Sequence, residues 1–165
     1  MSEENAMVIE RVLDAPVEIV WKAWSEEEHF KQWWGPKEFS CPVISIDFRV
    51  GGKFLGCMRG PMPPDNQEKD VWSTGTYKEI IPMKKIVTTD SFADEQGNIV
   101  PGSHYGMGGM PLEMVLTVTF EPQGNKTKMT IIHEGMPAGE HQKGADEGWN
   151  SMLDKLATHV EGMKG

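Results

Sequence analysis

The chain has 165 residues, 25 of them acidic and 16 basic, for a formal net charge of −9. That length fits one domain, and that charge excludes sequence-independent binding to nucleic acid or to an anionic membrane, both of which need clustered cations. Cys41 and Cys57 cannot make a disulfide framework, no apolar run is long enough to span a bilayer, and residues 1–10 hold no Lys or Arg, so the expectation is a reduced cytoplasmic protein.

Ala6–Leu13 reads as a strand whose inward face the pattern does not decide. Asp14-Ala15-Pro16 then reads as a helix start, since Asp14 can accept from an unpaired N–H and Pro16 suits the first turn. Val17, Val20, Trp21 and Trp24 follow at helical spacing. Ser25 and Glu28 have the spacing of a capping box. They predict a second short helix carrying Phe30, Trp33 and Trp34, stopped by Gly35-Pro36. Residues 44–50 alternate with period two, Gly51-Gly52 reads as a two-residue hairpin turn, and 53–59 return as a strand. A polar loop is expected over 60–69, then strands over 70–81 and 86–92. Residues 94–111 hold five glycines and two prolines, a stretch too long for a hairpin turn. Strands over 113–121 and Lys126–Glu134 are joined by a tight reversal at Gly124-Asn125.

The tail is a long amphipathic helix over 139–163, with Trp149, Met152, Leu153, Leu156, Val160 and Met163 recurring at three and four. Gly144 and Gly148 each weaken it by about 1 kcal/mol relative to Ala, which reads as room for a close neighbour. The fold class is therefore α+β, a curved antiparallel sheet of six or seven strands wrapped around a long C-terminal helix, with two short helices after strand one. A twisted sheet and a straight helix need not touch along their whole length. Where they part, an apolar cavity is expected, with the few polar groups usual in small-molecule sites.

Several strings in this order resemble the START-like, or helix-grip, superfamily. They are Asp14-Ala15-Pro16, Trp21-Lys22-Ala23-Trp24, Gln32-Trp33-Trp34-Gly35-Pro36, Asp47 through Phe54, Gly75 through Ile80, Thr117-Val118-Thr119-Phe120 and Gly148-Trp149. Within it the chain is similar to the branch holding the C-terminal domain of the activator of the ninety-kilodalton heat-shock protein's ATPase. The resemblance spans about residues 7–160. It implies a single helix-grip domain with a pocket between sheet and C-terminal helix. It does not imply one activity, because members bind hydrophobic molecules, sequester reactive compounds, cyclise polyketides or assist a chaperone. The resemblance covers only the C-terminal half of that activator, so the expectation is a chain without the activator's other domain.

Six tryptophans and twelve methionines supply shaped and adaptable apolar surface. One reading puts Met58, Trp72, Tyr77, Met114, Met129, Trp149 and Leu153 around a ligand, with Trp33 at the mouth; the plainer one makes the same residues ordinary core. His133 shares strand parity with Met129 and Ile131, so it could face the cavity and transfer protons, or could simply end a strand. His104, Tyr105 and Met107 sit in the glycine-rich loop, which reads either as a lid or as surface. No histidine or cysteine pair has zinc-site spacing and no nucleophile motif is present, so neither a metal nor a catalytic residue is expected. The function expected is binding of a small hydrophobic or amphipathic molecule without a cofactor. The alternatives are a regulator of a heat-shock ATPase, with a chaperone as partner, and a cyclase- or hydrolase-type enzyme using the same cavity.

Overall fold

The computed structural model describes residues 6–62, 65–105, 111–135 and 140–163, with residues 6 and 140–145 described by backbone alone. In chain order the elements are β1 (Ala6–Leu13), α1 (Val17–Ser25), α2 (Glu27–Phe30), β2 (Ser40–Ile46), β3 (Lys53–Met62), β4 (Gln67–Ile81), β5 (Lys85–Ala93), a 3-10 turn (Gly102–Tyr105), β6 (Met114–Gln123), β7 (Lys126–Glu134) and α3 (Glu140–Met163). The seven strands pair antiparallel in the order β1-β7-β6-β5-β4-β3-β2. The sheet curls as a half-barrel with the helices on its inner face, the α+β helix-grip arrangement.

Register decides what the inner face carries. Met7, His133, Leu116, Thr88 and Tyr77 form one row across β1, β7, β6, β5 and β4. Ile9, Ile131, Val118 and Ile86 form the next. On β1, Met7, Ile9 and Leu13 are buried while Val8 and Val12 are exposed, which settles the face the alternation leaves open. Arg11 has the buried parity, but β1 is an edge strand, so its guanidinium escapes past the rim and donates to Asp154 Oδ1 on α3 at 2.8 Å. The buried stripe of α3, Trp149, Met152, Leu153, Leu156 and Val160, packs with α1 over the β1 side of the sheet.

Five local expectations are corrected. Pro16 holds the N-cap position of α1, one place before the first turn that it is expected to start. Ser25 ends α1 instead of capping α2, because its hydroxyl donates back to Trp21 O one turn earlier. α2 closes at Phe30, leaving Trp33 and Trp34 in a turn that ends at Gly35 with φ +98°. β2 runs over 40–46 rather than 44–50, and the reversal takes six residues, not two. Asp47 N–H donates to Lys53 O and Gly52 N–H to Arg49 O, while a Cβ on Gly52 would lie 2.0 Å from Asp47 O. The polar loop shrinks because β3 and β4 keep pairing to Met62 and Gln67, helped by Arg59 Nε donating to Asp70 at 2.7 Å. Pro61 fits there because β2 stops pairing at Arg59, and a missing N–H is tolerated where a strand has lost a neighbour.

Candidate functional site

The space between the inner sheet face and the helices is filled mainly by rings. Trp34 sits on Phe30 at 4.9 Å and meets the edge of Trp149 at 5.8 Å, while Trp149 stacks on Trp24 at 6.4 Å. Three elements converge here: α1 brings Trp24, the turn after α2 brings Trp34, and α3 brings Trp149. What remains open is a small cavity of about 20 Å³, walled chiefly by Trp24, Trp34, Phe54, Tyr77, Thr88 and Leu116. That volume is room for about one water molecule.

The polar groups at this wall are few. Thr88 Oγ1 donates within the sheet, and burial pushes the Tyr77 phenol well above its usual range. The indole nitrogens of Trp24 and Trp34 are buried and have no hydrogen-bond partner among the described residues. An unpaired buried donor costs about 1–3 kcal/mol. Trp33 differs from its neighbour, because its Nε1 donates to Ala23 O at 3.0 Å in the floor beneath α1.

At the other end of the same face lies a second polar group. His133 is buried, its Nδ1 accepts from Trp149 Nε1 at 3.4 Å, and its Nε2 faces Asp90 Oδ2 at 3.1 Å. An Nδ1 that accepts leaves the proton on Nε2, toward the carboxylate. The Nε2–Oδ2 approach is short but lies outside hydrogen-bond alignment.

The sequence candidates therefore scatter. Tyr77 lines the cavity; Trp149 forms its second layer; Trp33, Met129 and Leu153 are fully buried core; and Met114 and Met58 pack at the margins. Trp72 has the parity opposite to Tyr77 on β4 and leaves the sheet on the far face, over Cys57. Tyr105 clips the end of the β4–β5 ladder, its hydroxyl accepting from Trp72 N–H at 3.2 Å and donating to Ala93 O. His104 is exposed beside it, and Met107 lies outside the described residues. Burial raises both thiols, Cys41 and Cys57, to about 11, so neither is an activated nucleophile.

Outside, a polar groove of about 1030 Å³ runs between α3 and the segment after α2, with Lys37, Glu147, Asn150, Asp154 and Lys155 among its walls. Near its end Glu26, Glu28 and His29 bring three potential metal-ligating atoms within 4.8 Å of one another. His29 Nδ1 lies 3.1 Å from His159 Nε2, a pair 130 residues apart that no sequence spacing reveals.

The family model described as Activator of Hsp90 ATPase homolog 1-like protein matches residues 14–161. The chain belongs to this family. Among solved structures, a protein from Chromobacterium violaceum is 29% identical with a TM-score of 0.77, over 95% of this chain and 97% of that one. One from Arthrobacter aurescens is 27% identical with a TM-score of 0.76, over 96% and 87%. A protein from Nitrosomonas europaea, at 23% identity and TM-score 0.73 over 99% of both chains, shares the fold. No curated protein matches. For this activator-homolog chain, family and fold together suggest a ligand-binding or co-chaperone-like domain. None of its described helices is long and apolar enough to cross a membrane.

The residues that sequence reasoning missed in this activator homolog are Trp24, Trp34, Phe54, Thr88 and Asp90. Phe54 and Thr88 carry a usable signal, since strand pairing puts them on the face of Tyr77 once register is known. The unpaired indoles carry none.

Proposed function

We propose that the chain binds a small, mainly apolar molecule in the interior between the sheet and the helices, without catalysis. The observation that carries this is the small, ring-walled cavity under Trp34. Its cover is the short segment 34–39, and three bond sets tie that segment to α3. Gly35 N–H donates to Met152 Sδ, Lys37 N–H to Ser151 Oγ, and Lys155 Nζ to the carbonyls of Pro36 and Phe39. A guest larger than one water makes room by lifting this segment, which loosens the packing of Trp34. The apolar surface that the guest buries, at about 25 cal/mol per Å², offsets the packing that Trp34 gives up.

The test is titration with N-phenyl-1-naphthylamine, a dye that brightens in apolar surroundings. We expect saturable one-to-one binding, weakened severalfold by Leu116→Phe, which fills the cavity. No saturable signal, together with native mass spectra free of any co-purifying compound, would remove this reading.

A second reading is supported by the outer polar groove and by the family's description, which names activation of a heat-shock ATPase. Here a protein partner seats along α3. It predicts stimulation of an Hsp90-type ATPase that Glu147→Lys abolishes, and unchanged ATP turnover with the chain added in excess counts against it.

A further inference from the structure

We infer that the molecule bound in the interior carries a hydrogen-bond acceptor, a ketone or similar carbonyl oxygen, received by the indole N–H groups of Trp24 and Trp34. This rests on the binding reading above and adds the chemical class of the guest.

Both indoles belong to cavity-wall residues, and both side chains are more than nine-tenths buried, at 5% and 7% exposure. Both nitrogens lack a partner among the described residues. Other buried indoles nearby are satisfied, Trp33 by Ala23 O and Trp149 by His133 Nδ1. Ser73 Oγ, Ser91 Oγ and His133 Nε2 are also buried without a partner among the described residues, but of these five atoms only the two indole nitrogens belong to residues that line the cavity. Indole N–H is a donor only, so what completes the wall must accept.

The rest of the wall limits the guest further. Phe54, Tyr77, Ile86, Leu116 and Val118 offer apolar surface, and Thr88 already spends its hydroxyl on Thr76 O and Thr89 O. Among the described residues, no Asp, Glu, Lys, Arg or His lines the cavity. A charged guest would stay unpaired there, at a high desolvation cost. A neutral molecule with an apolar body and one or two acceptor oxygens fits. The cavity of about 20 Å³ already matches one acceptor atom in size, and the body of the guest occupies the space that opens as residues 34–39 tilt outward with the Trp34 indole still at the rim.

The experiment compares acetophenone with α-methylstyrene, which share a shape and differ by C=O against C=CH2. Dissociation constants come from ligand-detected NMR, and indole N–H resonances are followed on 15N-labelled protein. We expect acetophenone to bind about tenfold more tightly, since leaving a buried donor unpaired has a cost of that size. The Trp24 and Trp34 indole protons should move downfield with acetophenone alone. In the Trp24→Phe, Trp34→Phe double variant, which keeps an aromatic ring at both positions but neither donor, the preference should fall to about onefold. Equal affinity of the two probes for the native chain, with the indole resonances unmoved, overturns the acceptor assignment and leaves the binding reading standing. Binding of neither probe overturns both.

Discussion

Trp33 and Trp34 are adjacent and equally large, yet their nitrogens have opposite fates. One is tied to Ala23 O at 3.0 Å, while the other has no partner among the described residues. Replacing either by Phe removes the same volume, so the difference between the two variants isolates the hydrogen bond. Trp33→Phe should lose about 1–3 kcal/mol more stability than Trp34→Phe in urea unfolding; equal losses would mean that Trp34 also has a partner. The thiols give a second residue-scale expectation. Cys41 and Cys57 are raised to about 11 by burial, so at pH 8 they should react with a disulfide reagent only as fast as the chain unfolds. Composition points to tryptophan as the material of the site. It does not distinguish these rings, because the partner of an indole is fixed by a carbonyl on another element.

At the scale of elements, what is legible in the sequence is what is local. β1, β7 and α3 come out within a residue of their periodicity, since alternation and the three-four stripe are written in consecutive residues. Boundaries set by a partner are not legible. The 47–52 reversal is closed by bonds that need both strands in register, and α2 ends where Trp33 finds Ala23 rather than where glycine appears. Glycines show the same divide. In sequence Gly148 reads as making room for a neighbour, but a Cβ there would meet only Pro36 Cγ, at an ordinary 3.7 Å. Gly148→Ala should therefore raise stability by about 1 kcal/mol through helix propensity. Gly75, inconspicuous within a strand, is the tight one: its Cβ would lie 1.9 Å from Thr89 O and 2.5 Å from Phe54. Gly75→Ala should cost roughly 3 kcal/mol, since neither the β5 backbone nor a core ring can give way cheaply. Thermal unfolding of the pair checks both signs.

Across the whole molecule, the expected hollow between sheet and terminal helix is present in outline and mostly occupied. α3 rests on the β1 side with α1, and the inner face of β3 to β6 is covered instead by Phe30, Trp34 and their segment. Patterning places a helix beside a curled sheet; it does not show that rings from α1, the turn and α3 meet in the gap. This division of labour makes a mechanical claim. Lifting α3 would break its buried stripe, including Leu153 and Leu156, each worth several kcal/mol. Lifting residues 34–39 breaks a few polar bonds and slides two rings, Trp34 and Phe39, while Trp33 stays anchored at Ala23 O. Access should therefore run through that segment, and locking it should close the interior. Lys37 N–H is bonded to Ser151 Oγ, which puts the two backbones within reach of a disulfide. In Lys37→Cys, Ser151→Cys the oxidised chain should lose N-phenyl-1-naphthylamine binding, and reduction should restore it with the fold unchanged by circular dichroism. Undiminished binding in the oxidised form would place the passage elsewhere, with the far end of the face beside His133 and Asp90 as the remaining polar route inward.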